Sequence, residues 1–266
     1  MACAHGCLEI TMKFALVDGI RQEATTGTRG TCPGCSSPTL AKCGIKRLHH
    51  WAHVSTAVCD RWWEPETEWH RAWRNLFPTD WQEIHHRALD GEVHIADVKT
   101  ATGTVIEFQH SAISPQERGS REAFYDPMVW IVDGTRLKRD LSSFRQEITT
   151  CGPSAETKTR AWLLSDRASA IIERWRGGSR PLFLDFGDAE FPLHWLPATG
   201  VLWLLQYLPR ERVIVTPVLR QSVVDHLLSG APIQGFTRPM PAPPPRSPFP
   251  GFQAHLMRPR ARRPRF

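Results

Sequence analysis

Two short runs in the middle of the chain alternate between apolar and polar residues, and a polar stretch joins them. The first run is His94–Val98 and the second is Val105–Gln109. The connecting residues, 99–104, include Gly103, the residue type that a tight turn favours. The pattern therefore predicts a hairpin of two antiparallel strands.

Acidic residues sit on both predicted strands, and we expect them to meet. Glu107 and Gln109 are two positions apart and share a face, and a suitable register places Asp97 beside them, about 5 Å across the pair. Converging carboxylates repel each other unless a cation lies between them, and ligands that are all oxygen suit Mg²⁺ or Mn²⁺. Such a metal is the working core of many enzymes that cut phosphodiesters. The alternative is an ordinary solvated sheet face.

Similar patterns predict further elements along the chain. Continuous or alternating apolar runs predict strands at Leu8–Val17, Trp81–Arg87, Met128–Val132, Leu182–Phe186 and Val213–Val218. Helical spacing and capping residues predict helices from about Pro65 to Pro78, from Ser114 to about Tyr125, in the later part of 154–176, and at Leu219–Leu228. The run at Met128–Val132 has no polar face, which is typical of a buried central strand.

The helix after Pro65 carries a second polar group. Glu66, His70 and Arg74 recur at i, i+4 and i+8 and so share one helical face, away from the aromatic stripe. Either these charges face water, or they contribute to a site on the neighbouring sheet. Spacing alone leaves both alternatives open.

A cluster of potential zinc ligands precedes that helix. Cys32 and Cys35 are separated by two residues, a spacing that places both sulfurs on one tetrahedral ion. The candidates to complete the site are Cys43, His49, His50, His53 and Cys59. A histidine and a cysteine from this set would make a closed structural Zn²⁺ site. The alternative is reduced thiols and packed imidazoles.

Composition narrows the class of protein. The chain has 266 residues, of which 41% are hydrophobic and 23% charged, as in an ordinary globular protein. Seven cysteines, an odd number, suit a reducing cytoplasm better than a disulfide framework. Glu9 and Lys13 interrupt any signal-peptide pattern, and the longest apolar run, Val201–Leu208, is too short to span a bilayer. We therefore expect a cytoplasmic protein without a membrane partner.

The positive charge is concentrated at the carboxyl end. The formal net charge is +6, and residues 237–266 contain seven Arg and no acid, which leaves −1 for the first 236 residues. This proline-rich tail is expected to be disordered. Arg258–Arg265 either contacts nucleic-acid phosphates without sequence preference or is simply solvated.

An ordered series of short motifs resembles the competence protein CoiA family, whose nuclease-like domain belongs with the PD-(D/E)XK phosphodiesterases. The resemblance covers roughly residues 10–135. The motifs that carry it are Glu66–His70, Ala96-Asp97-Val98, Ile106–Ser111, Ile113-Ser114, Arg121, Tyr125 and Trp130-Ile131. His50-Trp51-Ala52-His53 is also similar to a stretch that follows a cysteine pair in CoiA-like proteins.

The resemblance implies a mixed-sheet α/β core of restriction-endonuclease type and assigns roles to individual residues. Asp97 and Glu107 would hold Mg²⁺ or Mn²⁺, Gln109 would orient the attacking water in place of the more usual Lys, and Glu66 would help to position the metal. His70 and Arg121 would contact water or phosphate. For zinc, the resemblance favours Cys32, Cys35, His53 and Cys59, with His50 or Cys43 as substitutes.

The expected organisation and function follow from these points. We predict an N-terminal strand and zinc region at 1–60, a nuclease-like core at 61–150, an α+β extension at 151–236 and the tail at 237–266. The expected activity is Mg²⁺-dependent hydrolysis of DNA in uptake, recombination or defence. The alternatives are a DNA-binding recombination accessory with little or no cleavage, and a protein that acts by docking to a partner.

Overall fold

The computed structural model describes residues 11–55, 62, 66–87, 93–154 and 160–231. The proposed zinc ligand Cys59 and the arginine-rich tail at 237–266 lie outside these residues. The described part is a mixed α/β structure with two sheets.

The amino-terminal part forms a six-stranded antiparallel sheet with the strand order β1-β6-β5-β4-β2-β3. Its strands are β1 Thr11–Met12, β2 Phe14–Val17, β3 Ile20–Glu23, β4 Arg29–Thr31, β5 Pro38–Lys42 and β6 His50–His53. Met12, Ala15, Cys32 and Trp51 form its small core. The strand predicted at Leu8–Val17 is interrupted between Met12 and Phe14, and it is followed by a turn at Asp18 and Gly19, both with positive φ.

The second sheet is larger and mixed, with eight strands in the order β11-β14-β13-β12-β10-β9-β8-β7. Its strands are β7 Gln82–Arg87, β8 Val93–Lys99, β9 Val105–Gln109, β10 Met128–Asp133, β11 Trp162–Ser165, β12 Leu182–Asp185, β13 Val201–Leu208 and β14 Arg212–Leu219. β9, β10 and β12 run parallel to one another, and the remaining pairs are antiparallel. The predicted strands in this sheet are confirmed to within a few residues.

In the part of the chain that the structure describes, five α-helices cover the two faces of the large sheet: α1 Glu68–Arg74, α2 Pro115–Phe124, α3 Lys138–Cys151, α4 Ala170–Arg174 and α5 Arg220–Ser229. β10 shows why both faces need cover, because its side chains alternate between two hydrophobic cores. Met128 and Trp130 belong to the core that includes Phe144 of α3, whereas Val129 and Ile131 belong to the core that includes Trp73 of α1. An uninterrupted apolar strand is buried on both sides for this reason.

The start of α2 follows the capping chemistry in its sequence. The Ser114 hydroxyl accepts a hydrogen bond from the Glu117 N–H (3.1 Å), and Pro115 occupies the first helical position. Proline is tolerated there because that N–H has no partner within the helix. The helix and its end near Tyr125 are as predicted. α2 thereby connects β9 to the parallel neighbour β10.

The first helix differs from its prediction. α1 begins only at Glu68, with Thr67 as its N-cap, and ends at Arg74, before Leu76 and Phe77. Glu66 therefore lies outside the helix, and the prediction that it shares a helical face with His70 and Arg74 is wrong. Glu66 nevertheless reaches Arg74 through an ion pair.

Residues after 151 do not form a separate layer in the described structure. β12, β13, β14 and β11 continue the sheet begun by β7–β10. Several elements had no prediction, among them β11, α3, whose apolar residues are few, and β13, whose apolar run does not alternate. None of the helices in the described residues is long and apolar enough to cross a membrane.

Candidate functional site

The predicted hairpin is present, and its strands separate where the two acids stand. β8 and β9 pair at Lys99↔Val105 and Val98↔Ile106. The turn closes through a hydrogen bond from the Thr100 N–H to the Thr104 carbonyl (2.9 Å), and Gly103 has a φ of +91° that a side chain would disfavour. One step further along, the same register sets Asp97 opposite Glu107.

Side-chain carboxylates connect the two strands at that step. The Asp97 N–H donates to Glu107 Oε1 (3.3 Å), and the Phe108 N–H donates to Asp97 Oδ2 (2.9 Å). Each acid thus accepts a backbone N–H of the opposite strand. The strands are held apart, and both carboxylates are fixed at the opening between them.

Arg121 of α2 supplies the positive charge at this opening. Its Nη1 donates to Glu107 Oε2 (3.0 Å), and its Nη2 donates to Glu117 Oε1 (2.6 Å) and to the Trp62 carbonyl (2.6 Å). The residue is only 5% exposed. The resemblance implied that Arg121 contacts phosphate. In the structure its guanidinium instead neutralises Glu107, a predicted metal ligand.

His70 and Glu66 reach the same region from the other side. The ring Nε2 of His70 is hydrogen-bonded to the Phe108 carbonyl, and Nδ1 lies 3.3 Å from the Thr67 hydroxyl. Glu66 forms ion pairs with Arg71 and Arg74. Both residues are therefore near the hairpin but are engaged with protein groups.

A further acid in this region, Glu83, had no predicted role. Glu83 on β7 has a positive φ of 47°, which is unusual for a residue with a side chain. Its carboxylate accepts the backbone N–H groups of Lys13 (2.7 Å) and Phe14 (3.1 Å) and pairs with Arg74 (2.6 Å). Glu83 therefore ties the small sheet to the large one. Its sequence neighbourhood gave no signal for this link, because the two backbone N–H groups that it accepts lie about 70 residues away.

These side chains surround one cleft, with about 550 Å³ of space that is partly open to solvent. Its polar lining consists of Glu66, His70, Arg74, Glu83, Asp97, Glu107 and Arg121, together with Thr11. Five of the six residues proposed as catalytic are therefore brought together. The sixth, Gln109, is not in this lining: its Nε2 donates to Ser111, and its buried Oε1 has no partner among the described residues.

The arrangement offers a hard cation two carboxylates and not three. Mg²⁺ is commonly held by one or two carboxylates, with water and substrate phosphate completing its octahedron. Asp97 and Glu107 are donors of that type, and three of their oxygens accept hydrogen bonds from Phe108, Asp97 and Arg121. Glu66 and Glu83 are paired with arginines. Among the described residues, neither joins Asp97 and Glu107 to make a group of three metal ligands.

The predicted zinc cluster forms at the small sheet. Cys32, Cys35 and His53 place their ligand atoms within 4.8 Å of one another, so the group can hold a metal such as zinc. Cys35 Sγ lies 3.2 Å from His53 Nε2, and the Gly34 N–H donates to Cys32 Sγ (3.4 Å). An amide that donates to sulfur favours the thiolate, which is the form that binds metal.

The loop that carries both cysteines is packed against the large sheet. Gly34 lies against the ring of His85 on β7, and a side chain at position 34 would overlap that ring. The conformation of the loop is thus supported from outside the cluster. The ring of His85 therefore has a structural role, as a support for this loop.

The electrostatics of the cluster favour positive charge on its histidine. Hydrogen bonding with Cys32 is the main cause that raises the pKa of His53; burial opposes it, and Cys35 adds to the increase. A divalent cation between the two sulfurs would satisfy the same negative charge. The residues present therefore suit zinc by donor type and by spacing.

The two substitutes considered for the fourth ligand are not part of the cluster. His50 bonds the Leu48 carbonyl through Nδ1 (2.7 Å), and it lies three positions from His53 along β6, so the two rings point to opposite faces. Cys43 donates to the Ala24 carbonyl (3.4 Å) and packs on the small core. Cys59 remains a prediction, since it lies outside the described residues.

Asp185, the last residue of β12, connects several elements. Its Oδ1 does accept the Gly187 N–H (2.9 Å), as expected of a turn residue. Its Oδ2 also accepts the indole N–H groups of Trp69 (3.0 Å) and Trp73 (2.8 Å), and Arg220 pairs with Oδ1 (2.9 Å). Asp185 thereby fixes α1, and with it His70, against the sheet.

Comparison of the chain with protein-family models, with curated proteins and with solved structures found no match to any of them.

Proposed function

We propose that the chain is a metal-dependent nuclease that hydrolyses DNA phosphodiester bonds at the cleft between β8 and β9. The observation that carries the proposal is the meeting of Asp97 and Glu107 where the two strands separate, in a cleft that also contains Arg121 and His70. The resemblance of the surrounding motifs to CoiA-like proteins supports the same conclusion.

The residues of the chain have distinct tasks in this proposal. Asp97 and Glu107 hold Mg²⁺ or Mn²⁺, which lowers the pKa of a coordinated water and stabilises negative charge on phosphate. Arg121, once released from Glu107 Oε2, is free to pair with a phosphate oxygen. His70 stays bonded to the Phe108 carbonyl and fixes the backbone next to Glu107. Gln109 is further from the cleft, so its role in orienting water requires a side-chain rotation.

A second candidate function is DNA binding without cleavage. Both oxygens of Glu107 already accept hydrogen bonds from the protein, and Gln109 supplies no positive charge where the wider superfamily has Lys. A site that keeps Arg121 on Glu107 would bind DNA as an accessory and would leave it intact.

Cleavage assays distinguish the two functions. Linear, nicked and single-stranded DNA are incubated with the purified full chain and Mg²⁺ or Mn²⁺, and with Asp97→Asn and Glu107→Gln variants. We expect cleavage by the wild type and a loss of at least about a hundredfold in each variant. The matched control is Asp188→Asn, which removes an exposed acid outside the cleft and should cleave normally.

Each result has a clear consequence. Cleavage that survives both substitutions would exclude this site. DNA binding without cleavage by the wild type would favour the accessory function, and the absence of DNA binding in any form would point to a partner-docking protein.

A further inference from the structure

A second cleft lies at the carboxyl ends of the parallel strands. β9 leads into His110 and β10 ends at Asp133, and the residues that follow line a space of about 430 Å³ together with α3 and α4. In sheets with parallel strands, ligands bind preferentially beyond these carboxyl ends. None of the roles assigned above uses this cleft.

A histidine in this cleft is oriented by a buried acid. His110 Nδ1 lies 2.7 Å from Asp133 Oδ2, while Asp133 Oδ1 accepts the N–H (2.7 Å) and hydroxyl (2.6 Å) of Thr135. The Asp133 side chain is 2% exposed and that of His110 is 32% exposed. Since Nδ1 is occupied, Nε2 is the ring nitrogen left to meet a ligand.

Two arginines give the same cleft an exposed positive charge. Arg136 is exposed and has no partner among the described residues, and Arg174 is partly exposed and pairs with Asp140. Both acids of the lining, Asp133 and Asp140, are buried. A ligand entering from solvent therefore meets cationic N–H donors and an imidazole, whereas the carboxylates are covered.

The second cleft adjoins the first. The ring centroids of His110 and His70 are 6.4 Å apart, and those of His110 and Trp69 are 6.5 Å apart. His70 lines the first cleft and His110 lines the second. The two clefts are therefore neighbours on either side of these rings.

We propose that the cleft lined by His110, Arg136 and Arg174 binds a phosphate group of a nucleic-acid strand, next to the phosphodiester held between Asp97 and Glu107. Arg136 and Arg174 donate hydrogen bonds to the phosphate oxygens. His110, whose Nδ1 is held by Asp133, contacts the phosphate through Nε2 and so helps to position it. The inference rests on the proposed function, because the nucleic-acid strand is what joins the two clefts.

The test measures binding in the presence of a chelator, so that cleavage plays no part. A fluorescent single-stranded oligonucleotide is titrated with the full chain, with Arg136→Ala and with the matched control Arg139→Ala. Arg139 is an exposed arginine of α3 that lies in neither cleft. We expect Arg136→Ala to raise the Kd roughly threefold or more and to reduce the slope of log Kd against log salt by about 0.7, the value for one phosphate contact on a single strand. Arg139→Ala should leave both unchanged.

A second arm uses inorganic pyrophosphate as the probe and the shift in unfolding temperature as the measurement. We expect pyrophosphate to stabilise the wild type and Arg139→Ala, and to stabilise Arg136→Ala and His110→Gln less, because a ligand stabilises a protein in proportion to its binding to the folded state. The difference between the variants reports on the cleft without a nucleic-acid strand.

The outcomes separate this proposal from the nuclease proposal. Equal Kd values and slopes for Arg136→Ala and Arg139→Ala would overturn the phosphate subsite, even if DNA is cleaved. Arg136→Ala could lose the stabilisation by pyrophosphate and still bind the oligonucleotide as the wild type does. That result would overturn the assignment of the cleft to nucleic acid. If the wild type does not cleave DNA but Arg136→Ala still weakens oligonucleotide binding, the phosphate subsite is supported and the nuclease proposal is refuted.

Discussion

Arg121 Nη1 lies 3.0 Å from Glu107 Oε2, so a buried carboxylate proposed to bind metal is neutralised by a guanidinium of its own chain. Burying an unpaired carboxylate is costly, and in the absence of a metal the arginine removes that cost. A divalent cation at Asp97 and Glu107 competes with the arginine for the same charge. Metal binding and the release of Arg121 are therefore coupled in the proposed mechanism.

Replacing Arg121 tests this coupling. Without metal, Arg121→Gln should lower the free energy of unfolding by about 3–5 kcal/mol, because Glu107 loses its buried partner. Mg²⁺ should then stabilise the variant more than the wild type, since the competing cation is gone. Urea unfolding with and without Mg²⁺ measures both effects.

Glu117→Gln is the control for Arg121→Gln, because it removes the more exposed partner of the arginine and leaves the contact with Glu107 in place. Its unfolding should respond to Mg²⁺ as the wild type does. A variant Arg121→Gln that gains nothing from Mg²⁺ would count against a metal site at Glu107.

The cysteine and histidine cluster predicts bound zinc. The purified chain should contain about one Zn²⁺ per molecule, and Cys32→Ser or His53→Gln should lower that content substantially and reduce the unfolding temperature. Elemental analysis and thermal unfolding with and without a chelator are the measurements. Cys43→Ser and His50→Gln are matched controls that should retain the metal, so equal losses in controls and ligand variants would contradict the assignment.

Asp185 should be critical for stability, and not for chemistry. Asp185→Ala removes the acceptor of two indole N–H groups and the partner of Arg220, and we expect a loss of about 3–5 kcal/mol in the free energy of unfolding. The tryptophan emission of the folded protein should shift as Trp69 and Trp73 lose their partner. Asp188→Asn, at an exposed position three residues later, should change neither quantity.

His86 should make stability fall in mild acid. Burial lowers the pKa of His86 from its ordinary 6.5 to about 4, with smaller contributions from Lys99 and His85. The unfolded chain therefore binds a proton between pH 6.5 and 4 that the folded chain does not, and the free energy of unfolding falls as the pH drops through that window. We expect His86 to account for roughly 1–2 kcal/mol of that fall after allowing for its partial exposure.

The His86→Phe variant isolates this contribution. Phenylalanine keeps the ring that packs edge-on against Tyr125 (5.2 Å between centroids) but does not titrate. Urea unfolding at pH 4.5 and 7.5 should show a smaller difference for His86→Phe than for the wild type. His49→Gln, at an exposed position, should show the full difference; an unchanged difference in His86→Phe would refute the assignment.

Local sequence determined those features whose causes are local. The alternation around Asp97 and Glu107, together with the glycine at 103, specifies a hairpin. The cap at Ser114 specifies the start of a helix, and both elements are present. The spacing of Cys32 and Cys35 likewise fixed half of the metal cluster. Periodicity, turn chemistry and capping act over a few residues, so they can be recognised from the sequence alone.

Tertiary structure alone decided which partner each charge has. The sequence could not show that Arg121 meets Glu107, that Glu83 accepts the backbone N–H groups at the start of β2, or that Asp185 joins α1 to α5. These contacts span from 14 to more than 100 residues. Nor could it show that the strands after residue 151 complete the sheet of the proposed site. Such pairings are set by the packing of layers and by the need to satisfy every buried charge, and both are properties of the assembled fold.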